Sequence, residues 1–176
     1  MIRLLDLLED AGRTIHIYDF DDTLVDTNTS INVIDSEGNL KKLSSGEFAT
    51  YTLKPGEKYD FTEFDKIIKD SKPILRNLLQ IKKSASNPNI KTTILTARRV
   101  AYPIMRHLKE KYKLDVYVVG VGGANPELKA DWIENQVKKG YKNIKFMDDS
   151  EKNLLAVKNR LSKYKGLNLD LIDAKK

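Results

Sequence analysis

The sequence predicts an α/β fold, a mostly parallel sheet with helices on both faces, and three observations carry that expectation. Short apolar, β-branched runs alternate with helical segments from Thr14 to Ile172, the order that βα crossover units produce. The first run ends in Asp19, Asp21 and Asp22, and the fourth ends in Asp148 and Asp149, as strands do when their carboxyl ends open on a ligand crevice. The segment 24–72 is too long for an ordinary βα connection and carries signals of its own, so it reads as a small cap inserted after the first strand. The expected division is a core of 1–23 and 73–176 with a cap at 24–72.

Taken in order, Met1–Glu9 (MIRLLDLLE) is apolar on one face but interrupted by Asp6 and Glu9, which suits a docked amphipathic helix better than a secretory signal. Thr14–Asp19 is the first buried strand. Within 30–43, INVI, the turn Ser36–Asn39 and LKKL form a hairpin. Ser44 or Ser45 caps a short helix through Thr50, broken by Lys54–Gly56. Two helices follow over 60–70 and 71–84, the second with Leu75, Leu78, Leu79 and Lys82 at helical spacing. After the turn Asn87–Asn89, Thr92–Thr96 is the second core strand, and Val100–Lys113 is a helix that tolerates Pro103 in its first turn. Val116–Val119 is the third strand, followed by the glycine-rich turn Gly120–Asn125. A helix over 126–139 opens on proline and stops before Gly140. Ile144–Met147 is the fourth strand, a helix runs to about Lys163, and Leu167–Ile172 is a fifth, edge strand.

Composition narrows the chemistry. The chain has no cysteine and two histidines, which excludes thiol catalysis, iron–sulfur clusters and multi-histidine metal sites. Any metal must then be a hard cation on oxygen ligands. No apolar run approaches the roughly 20 residues that span a bilayer, so the expectation is a cytoplasmic protein without a membrane partner. Charge is uneven: residues 1–88 carry 12 Lys/Arg against 15 Asp/Glu, and residues 89–176 carry 19 against 10. A basic half can attract phosphate-rich partners, although these lysines sit in helices among apolar residues, as solvated helix faces do.

If the first and fourth strands are neighbours, five carboxylates converge. Two unit charges 4 Å apart repel by about 4 kcal/mol at an effective dielectric near 20. A bound Mg²⁺ relieves that repulsion and accepts oxygen ligands. One aspartate cluster alone is an ordinary polar loop, Asp being a common turn residue. Two at the ends of two core strands are not.

The order of residues adds a resemblance. Asp-Phe-Asp-Asp-Thr-Leu (19–24) after an apolar strand resembles the first motif, DxDx[T/V], of the haloacid dehalogenase superfamily. Thr96 in ILTAR is similar to that family's second motif, Lys129 to its third, and Asp148-Asp149-Ser-Glu-Lys-Asn153 to the DDxxxN form of its fourth. The resemblance implies a three-layer Rossmann-like sheet of strand order 5-4-1-2-3 and Mg²⁺-dependent phosphoryl transfer through an aspartyl-phosphate. It makes Asp19 the nucleophile and a metal ligand, and Asp21 the general acid and base with its backbone carbonyl on the metal. Asp149 and Asp148 complete the metal site, with Asn153 helping through a neighbour or a water. Thr96 and Lys129 hold the phosphoryl oxygens, and Thr23 closes the first motif beside the substrate. Arg98, after the second strand, is placed to contact substrate or to lie at the surface. His16, within the first strand, reads as a core histidine with satisfied hydrogen bonds.

Asp22 departs from the family pattern, where glycine is frequent. Dehalogenases have no need of an acid at Asp21, and the chain is too short for a transport ATPase. The expected substrate is therefore a phosphate monoester, a nucleotide or other small phosphorylated molecule. Nucleic-acid 3′ or 5′ ends are the alternative that the basic half suggests, and a non-catalytic binding module on the same scaffold is the other.

Overall fold

The computed structural model describes residues 12–27, 30–48, 51–62 and 71–176. The helix expected over Met1–Glu9 lies outside them. The central sheet has five parallel strands, β1 (Arg13–Tyr18), β7 (Ile90–Thr96), β8 (Tyr117–Gly120), β9 (Tyr141–Asp148) and β10 (Asn168–Asp173), in the order β10-β9-β1-β7-β8. β1 is central and pairs with both β7 and β9.

Period-two alternation splits the core between the two faces of the sheet. Ile15 and Ile17 of β1, Leu95 of β7, and Ile144 and Phe146 of β9 join one apolar cluster. That cluster is covered by α4 (Pro126–Lys138) and α5 (Glu151–Leu161) through Ala130, Ile133, Val157 and Leu161. Tyr18, Ile94, Val118 and Met147 face the other way, against α2 (Leu75–Ala85) and α3 (Tyr102–Tyr112) through Leu78, Ile81, Ile104 and Leu108. His16 points to this second side, half-buried, with its Nδ1 2.7 Å from the Ser84 hydroxyl of α2.

Local chemistry sets the helix ends. Asn125 accepts a hydrogen bond from the Glu127 N–H and Pro126 occupies the first helical position of α4, as N-terminal signals require. Ser150 caps α5 through the Asn153 N–H. Pro103 sits in the first turn of α3, where no intrahelical donor is lost.

The insertion begins after β1. A two-stranded antiparallel stem, β2 (Val25–Asp26) with β6 (Lys72–Pro73), joins it to the core. Above the stem lie β3 (Ile31–Ile34), β4 (Leu40–Leu43) and β5 (Lys58–Asp60), an antiparallel sheet of order β4-β3-β5. The expected hairpin is β3–β4. The short α1 (Ser45–Phe48) is capped reciprocally: the Ser44 N–H and hydroxyl donate to the Glu47 carboxylate, and the Glu47 N–H donates back to the hydroxyl.

Two expectations are corrected. The helix placed over 71–84 starts at Leu75, because Lys72 and Pro73 are spent on the stem and a residue preceding proline avoids helical geometry. Of the helix expected over 60–70, residues 63–70 lie outside the described residues, and Asp60 itself ends β5, a strand not foreseen. Among the described residues, no helix is long and apolar enough to cross a membrane.

Candidate active site

The register of the central sheet decides which carboxylates meet. Tyr18 pairs with Met147, so the chain leaves β1 and β9 at the same level, and the Asp19 N–H donates to the Met147 carbonyl at 2.9 Å. Asp19 thereby stands beside Asp148 and Asp149. One oxygen from each of the three lies within 4.8 Å of the others.

The turn after Asp19 is tight. Leu24 and Val25 N–H groups donate back to the Phe20 carbonyl, and the Asp22 N–H donates to the Val25 carbonyl. This geometry puts Asp22 in the left-handed region at φ 56°, which a short polar side chain tolerates and glycine adopts freely.

Lys129 rises from α4 into the gap between the acids. Its Nζ donates to Asp19 Oδ1 and Asp148 Oδ2, both at 2.7 Å, with Lys129 4 %, Asp19 5 % and Asp148 0 % exposed. Burial pushes the Asp19 carboxyl well above the usual aspartate range, against the pull of Lys129 and with added repulsion from Asp148, Asp149 and Asp21. Burial would lower Lys129, but Asp148 and Asp19 outweigh it and hold the ammonium above the ordinary lysine range. Asp149 is also raised, by burial first and then by Asp148, with Lys175 opposing.

Asp148 and Asp149 differ in what remains of their bonding capacity. Asp148 Oδ1 accepts from the Ser150 N–H at 2.8 Å and Asn153 Nδ2 at 3.0 Å, and Oδ2 accepts from Lys129 and Asn153. That carboxylate is saturated. Asp149 Oδ2 pairs with Lys175 at 3.1 Å, while its Oδ1 has no hydrogen bond among the described residues. Asn153 thus acts through a neighbour, on Asp148.

Thr23 is fully buried; its hydroxyl donates to Asp19 Oδ2 at 3.2 Å and accepts from the Asp149 N–H at 3.0 Å, locking the two loops together. Thr96, fully buried at the end of β7, accepts from the Arg98 N–H at 3.2 Å, and the cavity wall beside it is Ala97. Arg98 is not at the surface. It is 1 % exposed, and its Nε and Nη2 grip Asp21 Oδ2 and Oδ1 at 2.9 and 2.5 Å, in a forked guanidinium–carboxylate pair. The Thr27 hydroxyl donates to the same Asp21 Oδ1 at 2.6 Å.

These groups open on a cavity of about 640 Å³, lined by Asp19, Asp21, Lys129 and Asp149 from the core and by Ile31, Phe48, Tyr51 and Tyr59 from the insertion. A smaller cavity of about 250 Å³ adjoins it, sharing Tyr59, Ala97 and Gly123 and reaching Arg98 and Arg99. Six carboxylates against three lysines line the larger one. An anion is repelled from such a cavity until a cation enters it.

Sequence reasoning missed Thr27, Asn77 and the aromatic wall. Asn77, fully buried in α2, donates to the Thr23 carbonyl at 2.8 Å and the Ala174 carbonyl at 3.3 Å, so it supports the Asp19–Thr23 loop from below. A signal for the wall did exist: five of the chain's fourteen aromatic residues fall within 48–64. No family model matches the chain, and no curated protein matches it.

Proposed function

We propose that the chain is a cytoplasmic, magnesium-dependent phosphomonoester hydrolase of the haloacid dehalogenase type, acting through an aspartyl-phosphate on Asp19. The observation that carries this reading is Lys129 bridging Asp19 and Asp148 at the carboxyl ends of two adjacent parallel strands, at the floor of an open cavity. The five core strands, numbered along the chain, lie in the order 5-4-1-2-3, which accords with it.

The donor set fits a hard cation: carboxylate oxygens of Asp19 and Asp149, no sulfur, no imidazole, and a net acidic lining. Asp19 and Asp149 would hold it, Asp149 through the oxygen that carries no hydrogen bond among the described residues, while Asp148 serves as the anchor that fixes Lys129. When bound, Mg²⁺ supplies positive charge to the phosphoryl oxygens and to the attacking carboxylate.

Asp19 attacks phosphorus, forming an O–P bond as the ester P–O bond breaks. Lys129 steadies both the Asp19 carboxylate and the incoming negative charge. Asp21 gives the leaving alkoxide its proton and then takes one from the water that cleaves the acyl phosphate, which releases inorganic phosphate and restores Asp19. Because Arg98 and Thr27 hold both Asp21 oxygens, the acid–base step requires Asp21 to release one of those bonds and take up a proton from solvent before it meets the leaving oxygen. Arg98 therefore positions Asp21 and sets the cost of that exchange.

Phosphate release from 4-nitrophenyl phosphate tests the reading. Turnover is expected with Mg²⁺, to vanish with EDTA, and to vanish in Asp19→Asn. Turnover that survives either treatment sinks it.

A further inference from the structure

The acidic floor accounts for the phosphate end of a substrate but not for the rest of the cavity. Resting on the hydrolase reading for that end, we propose that Phe48, Tyr51 and Tyr59 form a stacking wall for a nucleobase, making the substrate a nucleoside phosphate.

The wall and the floor belong to one cavity. At about 640 Å³ it falls in the range that accommodates whole drug-sized ligands, far more than a phosphate or a three-carbon ester fills. Phe48 and Tyr59 pack edge to face at 4.8 Å and Phe61 completes the group at 5.7 Å from Phe48, yet Phe48, Tyr51 and Tyr59 remain half-buried, with ring surface left to the cavity. Their polar tips are already used: the Tyr51 hydroxyl donates to the Glu57 carboxylate at 3.0 Å, and the Tyr59 hydroxyl donates to the Tyr51 carbonyl at 3.1 Å. What the wall offers a ligand is therefore flat ring surface held in place beforehand, Tyr51 with Lys41 Nζ over its ring at 4.4 Å, the surface a base stacks on. Ala97, Gly123 and Ala124 in the same lining project little into the space that a ring system needs.

A free mononucleotide and the terminal nucleotide of a strand share this chemistry. Calorimetric titration of the turnover-blocked Asp19→Asn protein in Mg²⁺, with the wall substitutions made in that background, separates them, using adenosine 5′-monophosphate, adenosine 3′-monophosphate, 5′- and 3′-phosphorylated oligoadenylates, and glycerol 3-phosphate as the ester without a ring. At least one adenosine probe is expected to bind about tenfold or more tightly than glycerol 3-phosphate. That ratio should fall toward one in Tyr59→Leu and persist in Tyr59→Phe, which keeps the ring. Phe48→Leu provides the same readout if Tyr59→Leu does not fold. The tightest adenosine probe identifies the source, monomer or strand end. Equal affinity for all probes, or a ratio untouched in both leucine variants, overturns the proposal. Turnover of esters without dependence on the wall would then leave the hydrolase standing. Binding through the wall with no phosphate release from any ester would sink the hydrolase and keep the wall.

Discussion

At the scale of single residues, Lys129 carries the greatest electrostatic weight. It is a buried ammonium whose two carboxylate partners are themselves buried, so removing it leaves Asp19 and Asp148 facing each other without compensation. Breaking a buried ion pair in this way costs about 3–5 kcal/mol. Lys129→Met should lose about that much in urea unfolding, and Mg²⁺ should narrow the gap, because the cation binds more tightly to the variant's uncompensated carboxylates than to the wild type's and so stabilises the variant more by mass action. A gap that Mg²⁺ leaves unchanged would argue against a cation between Asp19 and Asp149. Gly120 is a quieter case. A Cβ there would lie 2.3 Å from the Arg98 carbonyl, so the end of β8 can pass the Arg98 loop only as glycine. Gly120→Ala should displace that loop, cost about 1–3 kcal/mol of stability, and weaken the Arg98 hold on Asp21. An unchanged unfolding midpoint would show that the loop absorbs the methyl group freely. The aspartates were legible in the sequence because strand ends are, whereas the partners of Arg98 and Asn77 were not. Arg98 meets Asp21 across 77 residues and Asn77 meets Thr23 across 54, and such pairings leave no trace in local pattern.

Among the elements, α4 and α5 show how charge rather than capping fastens a helix pair. Glu134 of α4 receives Lys163 Nζ at 2.6 Å and the Tyr164 hydroxyl at 2.8 Å, just beyond the end of α5, with Lys138 at 3.5 Å and Arg160 at 3.6 Å. Those bonds, Lys163 first and Tyr164 next, hold the Glu134 carboxyl down at about 2 against its ordinary 4.5. A carboxyl depressed in the folded state is more readily protonated in the unfolded one. Its stabilisation is therefore full above pH 4.5 and is lost as pH falls toward 2. Glu134→Gln should lower the urea midpoint at pH 7, and the two midpoints should converge as pH falls through that window. Parallel curves would assign the effect to packing instead. Element type was legible wherever the apolar period ran long, as in β1, β7 and α4. It failed where tertiary pairing overrode it: Lys72 and Pro73 left the helical pattern to complete a stem, and β5 is three residues, too short to show a period.

For the whole molecule, the division of labour between sheet and insertion follows from which side chains fill the core. Among the described residues, neither apolar cluster takes one from between Val25 and Leu78. The insertion has its own buried residues, Ile31, Val33 and Leu43, and its own ring stack. It meets the core through the β2–β6 stem, where Asp26 pairs with Lys72, so that Thr27 and Ser71 are the next residues along the two strands, about 5 Å apart if the ladder is extended by one step, a span that a two-residue turn closes. The Asp21–Thr27 bond lies on the core side of that junction. Replacing residues 28–70 with Asn-Gly should therefore leave a protein that unfolds cooperatively, because the five strands and four helices that bury one another are all retained. The acidic floor should survive with it, since Asp19, Lys129 and Asp149 are held by β1, α4 and β9 with the loops that follow them. Phe48, Tyr51 and Tyr59 go with the deleted segment. Magnesium-dependent release from 4-nitrophenyl phosphate should continue in the shortened chain, and the preference for adenosine monophosphates over glycerol 3-phosphate should disappear. A shortened chain that unfolds gradually would make the insertion part of the folding unit. One that keeps the nucleotide preference would move base recognition off the aromatic wall and onto the core, where Arg99 and the loop after β8 line the adjoining cavity.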